Sequence, residues 1–208
     1  MNKYKTEQEN FWAGEFGNEY IDRNKGNEYA ASNTALLSRI LARTRSVSSV
    51  IEFGSNIGMN MIALERLLPY AKLSAIEINQ KAVEHLKKLK GVKIYPGSII
   101  EFQPDETRDF VLIKGVLIHS NPDELPKIYQ NLYAASHRYI CIIEYYNPSP
   151  VEVPYRGHMG RLFKRDFAGE MMDKYKDLKL IDYGFVYHRD PNFPQDDVNW
   201  FLLEKEKQ

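Results

Sequence analysis

Val50-Ile51-Glu52-Phe53-Gly54-Ser55-Asn56-Ile57-Gly58 is the stretch whose residue types most constrain its chemistry. A short apolar run stops at a glycine, and a second glycine follows four residues later. Glycine lets a backbone approach a ligand and adopt angles that a side chain forbids. The spacing therefore describes a strand, a tight turn and a helix start. A dinucleotide fingerprint, GxGxxG, would place its second and third glycines where this chain has Asn56 and Met59, which weakens a pyrophosphate-binding reading. Nineteen residues beyond Gly58, Glu77 closes a second apolar run. A carboxylate there can accept hydrogen bonds from both hydroxyls of a ribose, as in nucleotide-binding α/β folds generally. The alternative is a solvated strand end in a nucleotide-free protein.

Three further groups carry chemistry. His119 follows the apolar run 109–116 and, as a general base, would take a proton from a hydroxyl or an ammonium. Its plainer role is to bond a nearby backbone group and pack beside a ligand. Glu144 ends another apolar run; buried without a partner it would be costly, so it needs either a partner or a substrate donor. Tyr145 and Tyr146 after it would wall a pocket or simply pack at its rim, and Cys141 is a small buried hydrophobe. Residues 156–165 then carry Arg156, Arg161, Lys164, Arg165 and His158 with no acid among them. The planar fork of arginine suits carboxylate or phosphate, and Tyr155 could stack on a sugar or a base. The competing reading is a solvated loop, or arginines paired with Asp166, Glu170 and Asp173.

The elements that must position these groups follow from periodicity and capping. Residues 6–27 read as an aromatic, acidic helix with a loop around Asn24 to Asn27. Residues 32–45 read as a helix with Ser32 and Asn33 as caps. Strands are expected at 47–53, 73–78, 92–95, 109–116 and 138–144, alternating with helices at 60–68, 79–90 and from Asn121-Pro122-Asp123-Glu124 to Leu132. Residues 147–163, with three prolines and no period, read as an inserted loop. A helix over 166–176 and strands at 178–187 and 198–205 complete the chain. Alternation of this kind means an open, mostly parallel sheet covered by helices on both faces. Such sheets bind ligands at the carboxyl ends of their strands, where the strand order reverses.

The pattern acid-apolar-Gly-x-x-x-Gly at Glu52 to Gly58 resembles motif I of the class I S-adenosylmethionine (SAM) methyltransferases. It implies a Rossmann-like, seven-stranded, mostly parallel sheet with an N-terminal helical segment and an insertion after the fifth strand. It also implies that Glu52, Gly54, Ser55, Asn56, Gly58, Glu77 and Ile78 hold SAM. Gly97, Ser98 and Ile99 stand where that family places an adenine contact, with Ser98 where Asp is common. Lys114 and Gly115 stand where the fourth strand passes the methionine part. The chain as a whole resembles the pseudaminic acid biosynthesis-associated methylases. Phe11-Trp12-Ala13-Gly14-Glu15-Phe16-Gly17-Asn18-Glu19-Tyr20-Ile21, Lys114 to His119, Glu144 to Pro148, Tyr155 to His158, Phe163 to Ala168, Asp182 to Phe185 and Trp200 to Glu204 carry that resemblance. It implies methyl transfer to a small anionic sugar or nucleotide sugar, with S-adenosylhomocysteine as the other product. Tyr145, Tyr146, Tyr155, Arg156, Arg161 and Arg165 would hold the acceptor, and His119, Glu144 or His158 would take a proton. The N-terminal segment would fold over the cofactor.

Composition bounds the alternatives. The chain has 208 residues, 28 Lys+Arg against 28 Asp+Glu, and 14 Tyr and 10 Phe. Zero net charge argues against a general nucleic-acid binder. One cysteine rules out an internal disulfide, and the five histidines show no paired metal-ligand spacing, so no metal is expected. With no signal-like start and no apolar run long enough to span a bilayer, a cytoplasmic protein free of membrane is expected. The length fits one domain over 1–208, with residues 1–45 as a helical cap and 147–165 as the basic substrate-side insertion. Homo-oligomerisation stays open. A methyltransferase of protein or nucleic acid, a non-catalytic SAM- or nucleotide-binding partner, and a dehydrogenase are the competing functions.

Overall fold

A computed structural model describes residues 4–23 and 27–206. The chain opens with helix α1 (Glu7–Ala13), where Thr6 Oγ1 accepts from the Glu9 N–H at 3.1 Å and the Glu9 carboxylate accepts from the Thr6 N–H at 3.0 Å. This capping box satisfies donors that a helix start leaves unpaired. Gly14 ends α1, and α2 (Glu15–Arg23) and α3 (Asn27–Leu41) follow, so the expected single N-terminal helix is two. Of the loop expected around Asn24 to Asn27, residues 24–26 lie outside the described residues, and Asn27 already opens α3. Ser32 and Asn33 are therefore not caps. They lie inside α3, buried on the same face as Leu36, Leu37 and Ile40.

Five strands then alternate with helices: β1 (Ser49–Phe53), α4 (Met59–Leu67), β2 (Lys72–Glu77), α5 (Gln80–Leu86), β3 (Val92–Pro96), β4 (Arg108–Lys114), α6 (Leu125–Ala135) and β5 (Ser136–Glu144). The start expected at Pro122 is a turn of 3-10 helix, with α6 beginning only at Leu125. Pro126 explains the shift. It has no N–H to bond the carbonyl of Pro122, and the Leu125 N–H bonds that carbonyl instead. The stretch expected to be an unstructured loop holds a short hairpin of β6 (Val151–Glu152) and β7 (Phe163–Lys164). Near its tip, Tyr155 and His158 exchange two backbone hydrogen bonds of 2.9 Å around Arg156 (φ 49°) and Gly157 (φ 84°). Two positive φ angles in a two-residue turn match the twist of a hairpin. Helix α7 (Phe167–Lys174), β8 (Leu178–Phe185) and β9 (Asn199–Lys205) complete the fold.

The sheet runs β3-β2-β1-β4-β5-β9-β8, parallel from β3 through β5 and antiparallel at β5-β9 and β9-β8. Side chains alternate between its two faces. Ile51, Val111, Ile113, Ile140 and Ile142 pack with Ile128, Leu132 and Met171 on one side. Val50, Phe110, Leu112, Cys141 and Ile143 pack with Leu37, Ile40, Leu64 and Trp200 on the other. Burial on both faces is why the parallel strands read as unbroken apolar runs. The order reverses between β1 and β4, and the site opens there.

Candidate functional site

A cavity of about 630 Å³ lies beyond the carboxyl ends of β1, β2 and β4. Its floor is the turn after β1. Gly54 (φ 78°), Asn56 (φ 47°) and Gly58 (φ 87°) all take left-handed backbone angles. A Cβ on Gly54 would stand 2.5 Å from Val116 Cγ2, so the turn closes against the β4 loop only with glycine there. A Cβ on Gly58 would meet Leu89 and Leu86 in the core. That glycine serves packing and does not line the cavity, whereas Gly54, Ser55 and Asn56 do. The angle at Asn56 aims its N–H at Glu77 Oε2, 2.7 Å away, while Glu77 Oε1 accepts from the Asn79 N–H at 2.7 Å. Burial pushes the Glu77 carboxyl above the usual carboxylate range, against the pull of those N–H groups. Glu77 and Ile78 line the cavity, with the carboxylate pre-aimed by backbone donors.

Charge is concentrated at the β4 side of the floor. Lys114 Nζ donates to Asn33 Oδ1 at 2.6 Å, and Gln195 Nε2 donates to the same oxygen at 3.1 Å. Burial lowers the Lys114 amine to about 8. Behind it Glu52 accepts from Asn60 Nδ2 through Oε1 at 2.5 Å, and its Oε2 has no partner among the described residues. Burial raises this carboxyl to about 7, while the positive charge of Lys114 pulls it down. Two opposite charges, buried at Glu52 and half-buried at Lys114, thus lie near one another without forming a direct pair.

The N-terminal helices roof the cavity, with Thr6, Gln8, Glu9, Trp12 and Tyr20 facing in. They are tied to the rim at several points. Glu9 accepts from Ser98 Oγ, the Tyr4 hydroxyl donates to the Ile78 carbonyl at 3.3 Å, and Asn79 Nδ2 donates to the Trp12 carbonyl at 3.0 Å. Ser98 is spent on this tie. Neither it nor Gly97 lines the cavity, whereas Ile99 does.

At the other end stand His119, Tyr145, Tyr155 and Arg156, with Asp196 on the loop between β8 and β9. The His119 ring lies 4.6 Å from that of Trp12 and 4.7 Å from that of Tyr155. Its Nδ1 is 2.5 Å from the Arg161 carbonyl oxygen, and burial lowers the imidazole to about 4. The other expected residues sit elsewhere. Glu144 is buried beneath the site, accepting from the N–H groups of Val116 and Leu117 at 2.9 Å. His158 packs on Phe11 and Phe16 outside the cavity, and Tyr146 is exposed on the side of Phe201. The Arg161 guanidinium lies over Phe11 and reaches Glu7 at 3.4 Å. Arg165 pairs with Glu170 at 2.6 Å. Asn33, Asn60 and Gln195 were not anticipated. The one available signal was Asn33, a polar residue on the apolar face of its helix.

Among the described residues no group of acidic, His or Cys side chains could hold a metal, and no helix is long and apolar enough to cross a membrane. No family model and no curated protein matches the sequence. Solved structures do resemble the fold. Magnesium protoporphyrin IX methyltransferase of Synechocystis PCC 6803, with bound SAM, superposes with a TM-score of 0.69 at 11% identity over 99% of this chain and 100% of that one. The 1,6-didemethyltoxoflavin-N1-methyltransferase of Burkholderia thailandensis, with 1,6-didemethyltoxoflavin and S-adenosylhomocysteine bound, gives 0.68 at 12% over 96% and 87%. A SAM-bound amino pentose methyltransferase of Micromonospora echinaspora, involved in calicheamicin biosynthesis, gives 0.64 at 12% over 92% and 96%. The fold is the Rossmann-like fold of class I SAM-dependent methyltransferases.

Proposed function

We propose that the protein is a SAM-dependent methyltransferase of a small anionic sugar or nucleotide sugar, in the biosynthesis of a nonulosonic acid such as pseudaminic acid. The observation that carries this is the cavity at the strand-order reversal. One end gathers Gly54, Asn56, Glu77, Lys114 and Gly115, and the other His119, Tyr145, Tyr155 and Arg156. The first end suits the cofactor. The backbone at Gly54 comes close where any side chain would collide, Glu77 offers a carboxylate to ribose hydroxyls, and Lys114 offers a half-buried amine to the carboxylate of an amino-acid moiety, with Glu52, which does not itself line the cavity, behind it. Bound there, SAM would supply an electrophilic methyl on a sulfonium leaving group.

The chain's own work is then to align and to exclude water. Trp12 and Tyr20 on the roofing helices close the cavity above. Tyr155 and Tyr145 offer flat faces to a sugar, and Arg156, whose guanidinium stands 5.9 Å from the Tyr155 ring centre, offers charge to its carboxylate or phosphate. Arg156 is the residue of the basic run that supports an anionic acceptor; Arg161 and Arg165 are held by Glu7 and Glu170. The test is incubation with methyl-labelled SAM and a panel of nonulosonic acid precursors, the CMP-activated sugar, bulk tRNA and a protein extract. Label on a sugar is expected. Label on tRNA or protein would overturn the acceptor, and SAM failing to bind would overturn the whole reading.

A further inference from the structure

We propose that the methyl acceptor is a hydroxyl oxygen and that His119 Nε2 takes its proton, with the imidazole aimed by the backbone carbonyl of Arg161. This rests on the methyl-transfer reading above. Three acceptor types fit an acidic sugar, and they differ in proton inventory. A carboxylate has no proton to lose. A neutral amine loses its proton only after transfer, from an ammonium that water can discharge. A hydroxyl becomes strongly acidic as its oxygen bonds to carbon, so it needs a base in place during transfer.

The site holds a base in the required state. A carbonyl oxygen only accepts hydrogen bonds, so the 2.5 Å contact to Arg161 places the ring proton on Nδ1. Nε2 is left with its lone pair. This is the ring's hydrogen bond among the described residues, and the ring itself lines the cavity between Trp12 and Tyr155. Burial keeps the imidazole neutral, and the charged and titratable groups around it are engaged elsewhere. Glu144, beneath the same turn, is spent on backbone N–H groups. The Arg161 guanidinium is turned to Glu7 and to the Gly160 carbonyl. Tyr155 and Arg156 stand on the hairpin tip, and His188 is paired with Asp197. The field of Asp196 falls on Lys114, Tyr20 and Tyr145. Among the described residues no carboxylate is hydrogen-bonded to the imidazole, which is the companion a base drawing protons from an ammonium would need.

The transfer balances. The hydroxyl oxygen's lone pair forms the bond to the methyl carbon, and the carbon–sulfur pair stays on sulfur, leaving a neutral thioether. The O–H proton passes to Nε2. The buried imidazolium then returns it to solvent when product leaves. The hairpin between β5 and α7 therefore acts through a backbone oxygen.

Two measurements test this. In the full chain labelled with ¹⁵N-histidine, with His119→Gln assigning the signal, the expected form is the neutral Nδ1–H tautomer from pH 7 down to pH 5. An Nε2–H tautomer, or an imidazolium at pH 7, would overturn the inference without any substrate. Where methyl-labelled SAM labels the CMP-activated sugar, an ether linkage is expected, and His119→Ala should lower kcat by about 10²- to 10⁴-fold with KM changed only a few-fold. An alkali-labile ester or an N-methyl product would overturn the hydroxyl acceptor and leave the proposed function standing. Label on tRNA or protein would overturn the proposed function, and its linkage would still decide between oxygen and nitrogen.

Discussion

Replacing Glu52 by glutamine should stabilise the protein while weakening its hold on the cofactor, and the stabilisation should grow with pH. Glu52 is fully buried on β1, with Oε1 bonded to Asn60 and Oε2 unpartnered. Its carboxyl titrates near 7 in the folded chain against 4.5 unfolded. A group with a raised folded pKa binds its proton more tightly folded than unfolded. Folding stability therefore falls as pH rises from about 4.5 to about 7, and the full penalty stands above that. That rise corresponds to roughly 3 kcal/mol at pH 8 and roughly 1 kcal/mol at pH 5. Glutamine removes the charge but weakens the Asn60 hydrogen bond and takes a counter-charge from Lys114, a loss of about 1–2 kcal/mol. The expected net gain is about 1–2 kcal/mol at pH 8, a rise in melting temperature of about 2–8 °C for a chain this long, with no gain at pH 5. Urea midpoints for both proteins at the two pH values measure it, and calorimetric titration with S-adenosylhomocysteine measures the lost affinity. A variant less stable than the parent at pH 8, or a gain equal at both pH values, would refute the view that Glu52 is held charged against its own solvation.

Gly54→Val should abolish cofactor binding while the chain still folds. It forces a side chain into φ 78°, against Val116, at a strain of about 1–3 kcal/mol; unchanged affinity for S-adenosylhomocysteine would contradict the backbone-approach role. Glu144→Ala should cost about 1–3 kcal/mol in urea unfolding at pH 5, where little carboxylate charge is relieved, because it strands the N–H groups of Val116 and Leu117. A loss under 1 kcal/mol would show those donors find water. Arg156→Ser should raise KM for an anionic acceptor at least about tenfold. Arg165→Ser, breaking only its pair with Glu170, should leave KM alone and cost under about 1 kcal/mol of stability. Glu9→Ala removes half of the α1 capping box and the tie to Ser98. Limited proteolysis should then cut residues 4–23 faster with the melting temperature nearly unchanged, since a lost cap is worth about 1 kcal/mol.

The sheet and the glycine turn were legible because each leaves a mark in residue type. Strands buried on both faces must be apolar, and Gly54 must be glycine. Asn33 and Gln195 left no comparable mark as a pair. They meet at the Lys114 side of the site from positions 162 residues apart. The basic run had two readings in the sequence, an anion-binding loop or arginines paired with nearby acids, and its residues divide between them. Arg161 and Arg165 are held by acids that are near in space, one of them on α1, far away in sequence. Meanwhile the contribution of Arg161 to the site is its carbonyl oxygen, which any residue would supply. Glu77 and Glu144 repeat the pattern, with both carboxylates aimed by backbone N–H groups. Every residue but proline carries both a main-chain donor and an acceptor, so a sequence cannot say which of them is aimed. Charged side chains stand out in a sequence and draw the functional assignment to themselves. In this fold burial sets the protonation of the titratable residues at the cavity, and main-chain atoms aim Glu77 and His119, so substitutions that move the hairpin's backbone should disturb His119 more than substitutions that only remove its charges.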